Sequence, residues 1–349
     1  MEKVSIIIVG YNARRWLPGF FSSLAAQTYK NVEVIFVDNN SADDSVPFIE
    51  MNHPEVLLIR HHKNSGFAGG NNIGLPHATG KYVLLLSTDV TVEPNFLEEL
   101  VRAFDEIPRL GCVQPKMVFM YDKSKLDCCG SYFTRTGFLK HVGVQASEVS
   151  PEYNRQFPVL SIKGACMMFQ KDILQKTGGL FDADFWNYFE ETDFCFRVWL
   201  AGYECWYYPR AVVYHAMGGS TGFIGTPLIQ YHSFKNRITT YLKSLSVKTL
   251  LIVLPAHFFL TQVISLFFLL TLRLRLGFSI TKAWWYNISN LPMILKKRRL
   301  VQTRVRKISD REFLPKLSKE FPIIRTIIPV IRFLIDERRK NERNKPPTT

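Results

Sequence analysis

Three carboxylates stand close together at the start of a helix predicted over residues 194–201. Glu190, Glu191 and Asp193 fall within four positions, beside several aromatic residues. A helix dipole favours acidic residues at its N-terminus, and Asp193 can pair with Arg197 one turn later. Three carboxylates exceed what capping requires, however, and a carboxylate in an aromatic-lined site can act as general base for a sugar hydroxyl. The segment is therefore a candidate catalytic site.

A fourth carboxylate, Asp89, follows an apolar run at residues 82–86. A short apolar run that ends abruptly at small polar residues predicts a strand buried on both faces. Ligands of open α/β sheets bind beyond the carboxyl ends of the strands, where Asp89 would lie. Taken alone, Asp89 is better explained as the cap of a helix predicted at residues 94–104. The other strand ends decide between these interpretations.

Polar residues follow the other predicted strands as well. Tyr11, after the strand at residues 4–9, can lie against a base or ribose, and Asp38, after the strand at 32–37, can accept from a base N–H or a ribose hydroxyl. A glycine cluster that begins at Gly66 can admit a diphosphate at a helix N-terminus, although a tight turn explains the glycines too. Because polar clusters recur at the carboxyl ends of successive strands, a nucleotide-binding site explains them better than tight turns alone.

His215 follows a strand predicted at residues 211–214 and precedes a glycine-rich loop. A single histidine after a strand is usually structural. The loop that follows it favours a ligand or metal role.

The elements that position these residues alternate between strands and helices. This order predicts an α/β fold with a mostly parallel central sheet and right-handed crossovers. Residues 110–162 interrupt the alternation with short apolar runs between glycine turns, which predict an antiparallel hairpin insert.

Composition separates the C-terminal part of the 349-residue chain from the rest. Residues 272–349 carry 20 of the 44 Lys and Arg residues but 6 of the 30 Asp and Glu residues, so the net charge of +14 lies entirely there. A partner that binds basic residues is therefore expected at that end. The 6 cysteines show no zinc-like spacing and no signal peptide is evident, so reduced thiols in the cytoplasm are expected.

Taken in order, the motifs resemble those of the family 2 glycosyltransferases, which have the GT-A fold and an inverting mechanism. The resemblance covers residues 3–225. It rests on six segments of this sequence: VSIIIVGYN at 4–12, VDNNSAD at 37–43, NSGFAGGNNIG at 64–74, LSTD at 86–89, GLFD at 179–182 and FEETD at 189–193.

The resemblance implies a role for each matching residue. Tyr11, Asn12, Asp38 and Asn39 match positions that hold the base and ribose of a nucleotide-sugar donor. Gly66, Phe67 and Asn72 match the loop that closes over the nucleotide, and Ser87 is grouped with these donor-binding residues. Asp89 matches the last Asp of the DxD metal motif, and His215 matches a histidine that often completes the divalent site. Glu191 matches the catalytic base, with Glu190 and Asp193 beside it.

Two residues depart from the family pattern. Ser87 replaces the first Asp of DxD, which thins the coordination of the Mg²⁺ or Mn²⁺ ion that the resemblance implies. Glu191 replaces an Asp, so the base is one methylene longer. A divalent metal on the departing diphosphate is still the expected cofactor.

The C-terminal region contains an apolar run at residues 247–272, long enough to cross a bilayer. A single span would place the basic end outside the cell, against the positive-inside rule. A re-entrant hairpin with residues 277–295 or helices lying in the interface avoids this, and we favour the interfacial arrangement, with Trp284, Trp285 and Tyr286 as an aromatic belt. A second interfacial helix is predicted at 321–335. The long aliphatic stretches favour membrane lipids over nucleic acid as the partner.

The sequence therefore predicts three regions. Residues 1–240 form a GT-A domain, with a donor half at about 1–110 and an acceptor half at about 111–240. Residues 241–340 form membrane-associating helices, and 341–349 a disordered tail. Homo-oligomerisation is left open.

The expected activity is transfer of a sugar from a UDP- or dTDP-sugar to a polyprenyl-linked saccharide at the cytoplasmic face of the bacterial inner membrane. The product would serve cell-surface polysaccharide synthesis, and the Ser-Thr-Asp motif resembles the rhamnosyltransferase branch. Two alternatives stand beside this one. A sugar nucleotidyltransferase would require a basic glycine-rich loop after the first strand, and a degenerate membrane scaffold would not retain Asp38, Asp89, Glu191 and His215 together.

Overall fold

The computed structural model describes residues 1–216 and 226–319 of the chain. The helix predicted at 321–335 and the tail at 341–349 lie outside these residues, as does most of the glycine-rich loop after His215. The strands are β1 Val4–Gly10, β2 Val32–Asp38, β3 Leu57–Arg60, β4 Tyr82–Leu86, β5 Val90–Val92, β6 Leu110–Phe119, β7 Leu126–Cys128, β8 Ser131–Phe133, β9 Leu139–His141, β10 Phe157–Pro158, β11 Cys166–Gln170 and β12 Glu204–His215.

Helices connect the strands and then continue alone at the C-terminal end. They are α1 Leu17–Ala25, α2 Ser45–Asn52, α3 Gly66–Gly74, α4 Phe96–Glu106, α5 Ile173–Thr177, α6 Glu190–Leu200, α7 Pro227–Ser244, α8 Val247–Leu270, α9 Leu274–Ser289, α10 Leu291–Leu300 and α11 Asp310–Leu317. Short 3-10 helices occupy Leu75–His77 and Pro151–Tyr153, and a π-helical turn follows α10 at Val301–Val305.

A ten-stranded sheet organises the domain, in the order β10-β12-β6-β11-β4-β1-β2-β3, with β5 beside β12 and β7 beside β6. The first four strands of the chain pair in parallel, as predicted for an α/β fold. The other half is mixed, because β11 runs antiparallel to both β4 and β6 while β6 and β12 pair in parallel. A separate hairpin joins β8 and β9.

The insert predicted at residues 110–162 was wrong in one respect, because its first run is a central strand. β6 is ten residues long and nine of them are buried. Gln114, Pro115 and Lys116 interrupt the apolar residues of β6, so the sequence interpretation assigned this run to a small hairpin. In the structure Gln114 and Lys116 are buried within the sheet. Only the β8–β9 hairpin and the loops around it stand outside the sheet.

Both faces of the sheet are covered. Alternate residues of β1 enter two separate cores, Ile7 on one face and Ile6 and Ile8 on the other, as the two-residue period of a strand requires. Because both faces are filled, the carboxyl ends of the parallel strands are where a ligand can enter.

The C-terminal helices fold back onto the sheet domain. α7 packs against α6, and its Asn236 donates hydrogen bonds to the carbonyl oxygens of Asn187 and Tyr188, at 3.1 Å and 2.6 Å. Arg298, on α10, donates to the carbonyl oxygens of Leu242 and Leu245 at the end of α7. The boundary predicted after residue 240 falls inside α7, so this helix belongs to both predicted regions.

α8 and α9 form an antiparallel hairpin with an inverted polarity, meaning that polar side chains of α8 face the protein and apolar side chains face outward. The side of α8 that faces the protein carries His257, Thr261 and Ser265, which are buried, and Trp284 of α9 donates to the Thr261 hydroxyl at 2.9 Å. The opposite side carries exposed apolar side chains: Leu251, Ile252, Phe259, Val263, Leu266 and Leu270. A helix on a water-soluble surface has the reverse pattern.

A buried ion network joins α7 and α10 to the sheet domain. Lys243 lies 2.6 Å from Asp182 and 2.8 Å from Asp193, and Lys297 also pairs with Asp182. Some of the excess basic charge therefore has a structural use.

Replacing Lys243 with Met should destabilise the protein strongly, because two buried carboxylates lose a cation. Breaking a buried pair costs about 3 kcal/mol or more. Urea unfolding in detergent measures the loss, with Lys296→Met as the matched control, since Lys296 is exposed on α10. Equal unfolding midpoints for the two variants would contradict the structural role of this network.

Candidate active site

The carboxyl ends of β2 and β4 flank that of β1, and Asp38 and Asp89 lie there. Asp38 ends β2 beside Gly10 of β1. Asp89 lies between β4 and β5 and is buried. It does not cap the next helix, because α4 begins at Phe96 with Asn95 in the cap position. The structure therefore favours the ligand interpretation of Asp89 over the cap.

Asp38 offers an acceptor suited to a nucleoside. Its Oδ2 accepts from the backbone N–H of Ser41 at 3.2 Å. Its Oδ1 is buried, and no donor to it exists in residues 1–216 or 226–319. A buried carboxylate oxygen without a donor is costly, and a ribose hydroxyl or base N–H would supply one. Tyr11, at the end of β1, is 43% exposed and free to lie against such a ligand.

The predicted donor-binding amides form the walls of this site. Asn12 accepts from the Ala42 N–H at 2.7 Å, and Asn39 accepts from the Ser65 N–H at 2.9 Å. Asn72 both donates to and accepts from the backbone of Phe181, at 3.0 Å and 3.2 Å. These side chains position loops that surround the site.

The loop before α3 meets the acceptor half of the domain. Gly66 has φ of +72°, and a Cβ there would overlap the carbonyl oxygen of Trp186. A Cβ added at Gly164 would lie 3.4 Å from the Phe67 ring and 3.7 Å from the Cβ of Glu191. Phe67 and Glu191, 124 positions apart in the numbering, therefore border the same point. Gly66 must stay a glycine for this approach.

Asp89 and His215 come together because β5 pairs with β12, which sets His215 opposite Val90. The Nε2 of His215 lies 3.6 Å from Oδ2 of Asp89. On its other side, the Nδ1 of His215 lies 2.7 Å from Oδ2 of Asp127, and Lys163 donates to Asp127 at 2.6 Å. Four side chains from distant segments thus form one connected row.

In this row, burial and the neighbouring charges shift the pKa values of His215 and Asp127 in opposite directions. Burial disfavours the charged imidazolium of His215, but the hydrogen bond with Asp127 and the nearby Asp89 carboxylate outweigh it and raise the pKa of His215. Burial acts to raise the pKa of Asp127, yet its contacts with His215 and Lys163 hold that pKa below its usual range. Asp127 is thus an anion that fixes the ring of His215.

The residues present fit a divalent cation. Asp89 and His215 supply an oxygen and a nitrogen, and the carboxylate behind the histidine is the usual partner of a metal-binding imidazole. No group of three or more His, Cys, Asp or Glu side chains arranged for a metal occurs in the described ranges. Oxygen atoms of a bound diphosphate would therefore have to supply further ligands.

The three carboxylates at the start of α6 have different surroundings. Asp193 is fully buried and pairs with Arg197 and Lys243, at 3.0 Å and 2.8 Å. Glu190 is buried with no hydrogen-bond partner for Oε2 in the part of the chain described, and burial raises its pKa well above the usual range. Glu191 is partly exposed, and burial raises its pKa as well. Of the three, Glu191 is the least buried.

Backbone strain marks the turn before α6. Tyr188 and Phe189 both have positive φ, +69° and +72°, although neither is a glycine. Such conformations persist only where surrounding contacts enforce them, and they cluster at functional sites. Asn236 supplies the enforcing contact through its hydrogen bond to the Tyr188 carbonyl.

Sequence reasoning missed Asp127, Lys163, Asn236 and Arg237. Asp127 lies in the three-residue strand β7 and Lys163 just before β11, and their connection to His215 exists only in three dimensions. Asn236 and Arg237 lie on α7, to which the sequence interpretation gave no functional role. No local signal in the sequence identifies any of them.

The sequence matches the family described as Glycosyl transferase family 2 over residues 5–126 and the Glycosyl transferase family group 2 over residues 82–296. The second match alone covers more than half of the chain. The protein belongs to glycosyltransferase family 2. This second match continues through the residues of α8 and α9.

Curated relatives of this family 2 protein include the hexosyltransferase Agl10 of low-salt glycan biosynthesis in Haloferax volcanii, 23% identical over 57% of this chain and 62% of Agl10. Another is WfaP of Escherichia coli, a UDP-Glc:alpha-D-GlcNAc-diphosphoundecaprenol beta-1,3-glucosyltransferase, 37% identical over 26% of this chain and 36% of WfaP. The chain therefore spans less than two thirds of the length of these relatives.

Solved structures agree on the fold. GalNAc-T7 with UDP, GalNAc and Mn²⁺ has a TM-score of 0.56 at 15% identity, covering 70% of this chain and 48% of that one. The mannosyltransferase PcManGT from Pyrobaculum calidifontis, in complex with GDP-Man and Mn²⁺, has a TM-score of 0.50 at 16% identity, covering 87% and 84%. The predicted GT-A fold is confirmed.

Proposed function

We propose that this family 2 protein is an inverting glycosyltransferase that moves a sugar from a nucleoside-diphosphate donor to a lipid-linked saccharide. The observation that carries the proposal is the meeting of Phe67 and Glu191 around Gly164. It sets the loop over the donor beside a carboxylate whose pKa is raised by burial. A base that touches the donor pocket is what direct transfer between two bound substrates requires.

Asp38 and Tyr11 would bind the nucleoside of the donor. The diphosphate would lie near Ser87 and Asp89 at the end of β4. Asn12, Asn39 and Asn72 act as positioning residues, because their amides hold the surrounding loops.

Transfer would proceed by direct displacement. Glu191 accepts the proton of the acceptor hydroxyl, and the resulting oxygen attacks the anomeric carbon from the face opposite the diphosphate. The new glycosidic bond forms as the bond between carbon and diphosphate oxygen breaks, so the configuration inverts. Glu190, which is buried, supports the helix start, and Asp193 anchors α6 to α7.

A divalent cation held by Asp89 and His215 would offset the charge of the departing diphosphate. The role of Asp127 is to hold the His215 ring so that Nε2 faces Asp89. Mg²⁺ and Mn²⁺ both suit this donor set when phosphate oxygens complete it.

Replacing Asp127 with Asn should raise the Mn²⁺ concentration needed for half-saturation by about 10- to 100-fold, the usual effect of losing a carboxylate behind a metal-binding histidine. Calorimetric titration of Mn²⁺ into protein with bound nucleotide measures this. Asp122→Asn, at an exposed carboxylate nearby, is the control. Identical Mn²⁺ affinities for the two variants would remove His215 from the metal site.

The membrane side of the proposal rests on the inverted polarity of α8. Among the described helices, α8 alone is long and apolar enough to cross a membrane, and most of its apolar stretch is not buried within the protein. Since α9 returns along α8 and α10 docks on the domain, we favour a hairpin lying in the interface at the cytoplasmic face of the inner membrane.

A donor screen tests the proposal. The full chain in detergent is incubated with UDP-, dTDP- and GDP-sugars, including dTDP-rhamnose, with Mg²⁺ or Mn²⁺, and release of nucleoside diphosphate is measured. One donor should be hydrolysed slowly and the Asp38→Asn variant should lose that reaction. Absence of turnover and of nucleotide binding across the panel would contradict a transferase and favour a degenerate scaffold.

A further inference from the structure

Arg237, on α7, is a cation that has no carboxylate partner among the described residues. Its Nε and Nη1 atoms are buried, and within the described ranges neither has a hydrogen-bond acceptor. The guanidinium carbon lies 5.0, 5.1 and 5.3 Å from the ring centroids of Phe138, Phe189 and Phe234. Aromatic rings offset part of the cost of burying this charge, but they leave the N–H donors unsatisfied. An anion is the missing partner.

The position of Arg237 ties it to the acceptor side of the active site. Phe189, which contacts the guanidinium, directly precedes Glu190 and Glu191 in the strained turn. The neighbouring Asn236 holds the carbonyl oxygens of that same turn. An anion at Arg237 would therefore lie close to the turn that leads into the proposed base.

Aromatic contacts continue from Arg237 to the membrane-facing hairpin. The His257 ring lies 4.9 Å from Phe138 and 6.2 Å from Trp284, measured between centroids. Trp284 borders a cleft of about 320 Å³ with an entirely apolar lining, formed with Leu250, Leu251, Leu254, Pro255 and Phe258. We call this the α8 cleft. It opens on the same side as the exposed apolar residues of α8.

We propose that Arg237 binds the diphosphate of an isoprenoid-diphosphate-linked acceptor whose chain enters the α8 cleft. The proposal rests on the proposed function and names its acceptor class. The order of groups along such a molecule, chain then diphosphate then saccharide, matches the order of the α8 cleft, Arg237 and Glu191. Arginine suits this role because its planar donors match two phosphate oxygens at once.

Binding, measured apart from transfer, tests this assignment. The full chain in detergent is saturated with UDP and dTDP to occupy the donor site, and then titrated with geranylgeranyl diphosphate, geranylgeraniol or inorganic pyrophosphate. The wild-type protein should bind geranylgeranyl diphosphate about 10-fold or more tightly than either other probe, because only that probe offers both chain and charge. Competition with phosphatidylglycerol shows whether any anionic headgroup suffices.

Variants separate the two contributions. Arg237→Gln should bring the affinity for geranylgeranyl diphosphate to within about threefold of that for geranylgeraniol, whereas Arg237→Lys should retain part of the preference. Phe258→Asn, at a half-exposed ring of the α8 cleft, should weaken both isoprenoids equally.

The assignment is overturned if the wild-type protein shows no preference for the diphosphate over the alcohol, or if phosphatidylglycerol displaces the diphosphate as effectively. A folded Arg237→Gln variant with wild-type affinity would also overturn it and leave the arginine a packing residue. If Arg237→Gln does not fold, Arg237→Lys and the wild-type comparison decide. A protein that shows the preference but transfers no sugar would refute the proposed function alone.

Discussion

Replacing Glu191 with Gln should reduce sugar transfer by about 10²- to 10⁴-fold, the contribution of a general base. The amide keeps the shape of the side chain but cannot accept the hydroxyl proton. Donor binding should remain nearly unchanged, because the proposal assigns Glu191 to the acceptor hydroxyl and the nucleoside to Asp38 and Tyr11. Transfer is measured with labelled donor, and donor binding by calorimetry on the same preparations.

Glu190→Gln is the control for this experiment. Burial raises the pKa of Glu190 well above the usual range, which favours its protonated form, and the amide of glutamine resembles that form. Its transfer rate should stay within a few-fold of wild type. Robust transfer by Glu191→Gln, or an equal loss in Glu190→Gln, would sink the assignment of Glu191 as the base.

The wild-type pH profile should carry the same information. Burial raises the pKa of Glu191, and a base works only when deprotonated. Transfer should therefore rise with pH through a pKa above that of an ordinary glutamate and then level off. The low-pH limb should disappear from the residual activity of Glu191→Gln.

Membrane attachment should fail when the outer face of α8 is made polar. Leu251, Phe259 and Leu266 are 71%, 67% and 56% exposed. Transfer of each side chain from water into the membrane should contribute about 1.5 kcal/mol or more to membrane binding. Changing all three to Lys removes several kcal/mol, which is roughly a 100-fold or larger drop in the partition coefficient. Flotation with anionic vesicles measures the bound fraction.

The matched control changes three exposed apolar residues of the sheet domain, Met51, Leu57 and Tyr121, to Lys. These side chains lie outside the hairpin, so vesicle binding should persist. Unchanged flotation of the α8 variant, or equal loss in the control, would mean that the inverted hairpin is not the membrane contact.

The sequence was informative where chemistry and local pattern coincide. The parallel strands of the donor half were predicted because each is a short, mostly apolar run that ends at polar residues. Asp38, Asp89 and His215 were predicted as site residues for the same reason, since strand ends are where ligands bind. The apolar run of α8 was evident from its composition.

What the sequence could not provide depends on pairings between distant segments. Asp127 acquires its role only when β7 comes near the end of β12, and no local pattern encodes that approach. The same holds for Lys243, which bridges Asp182 and Asp193 across two elements. The predicted boundary after residue 240 cut α7, because the packing of that helix against α6 leaves no trace in composition.

The most direct test of the account is the configuration of the transferred sugar. A donor of known anomeric configuration is incubated with the full chain, Mn²⁺ and an isoprenoid-diphosphate-linked saccharide, and the product is examined by NMR at the new anomeric centre. Direct displacement with Glu191 as base predicts a single product with the configuration opposite to that of the donor. A product of retained configuration, or no product from a protein that binds both substrates, would contradict it.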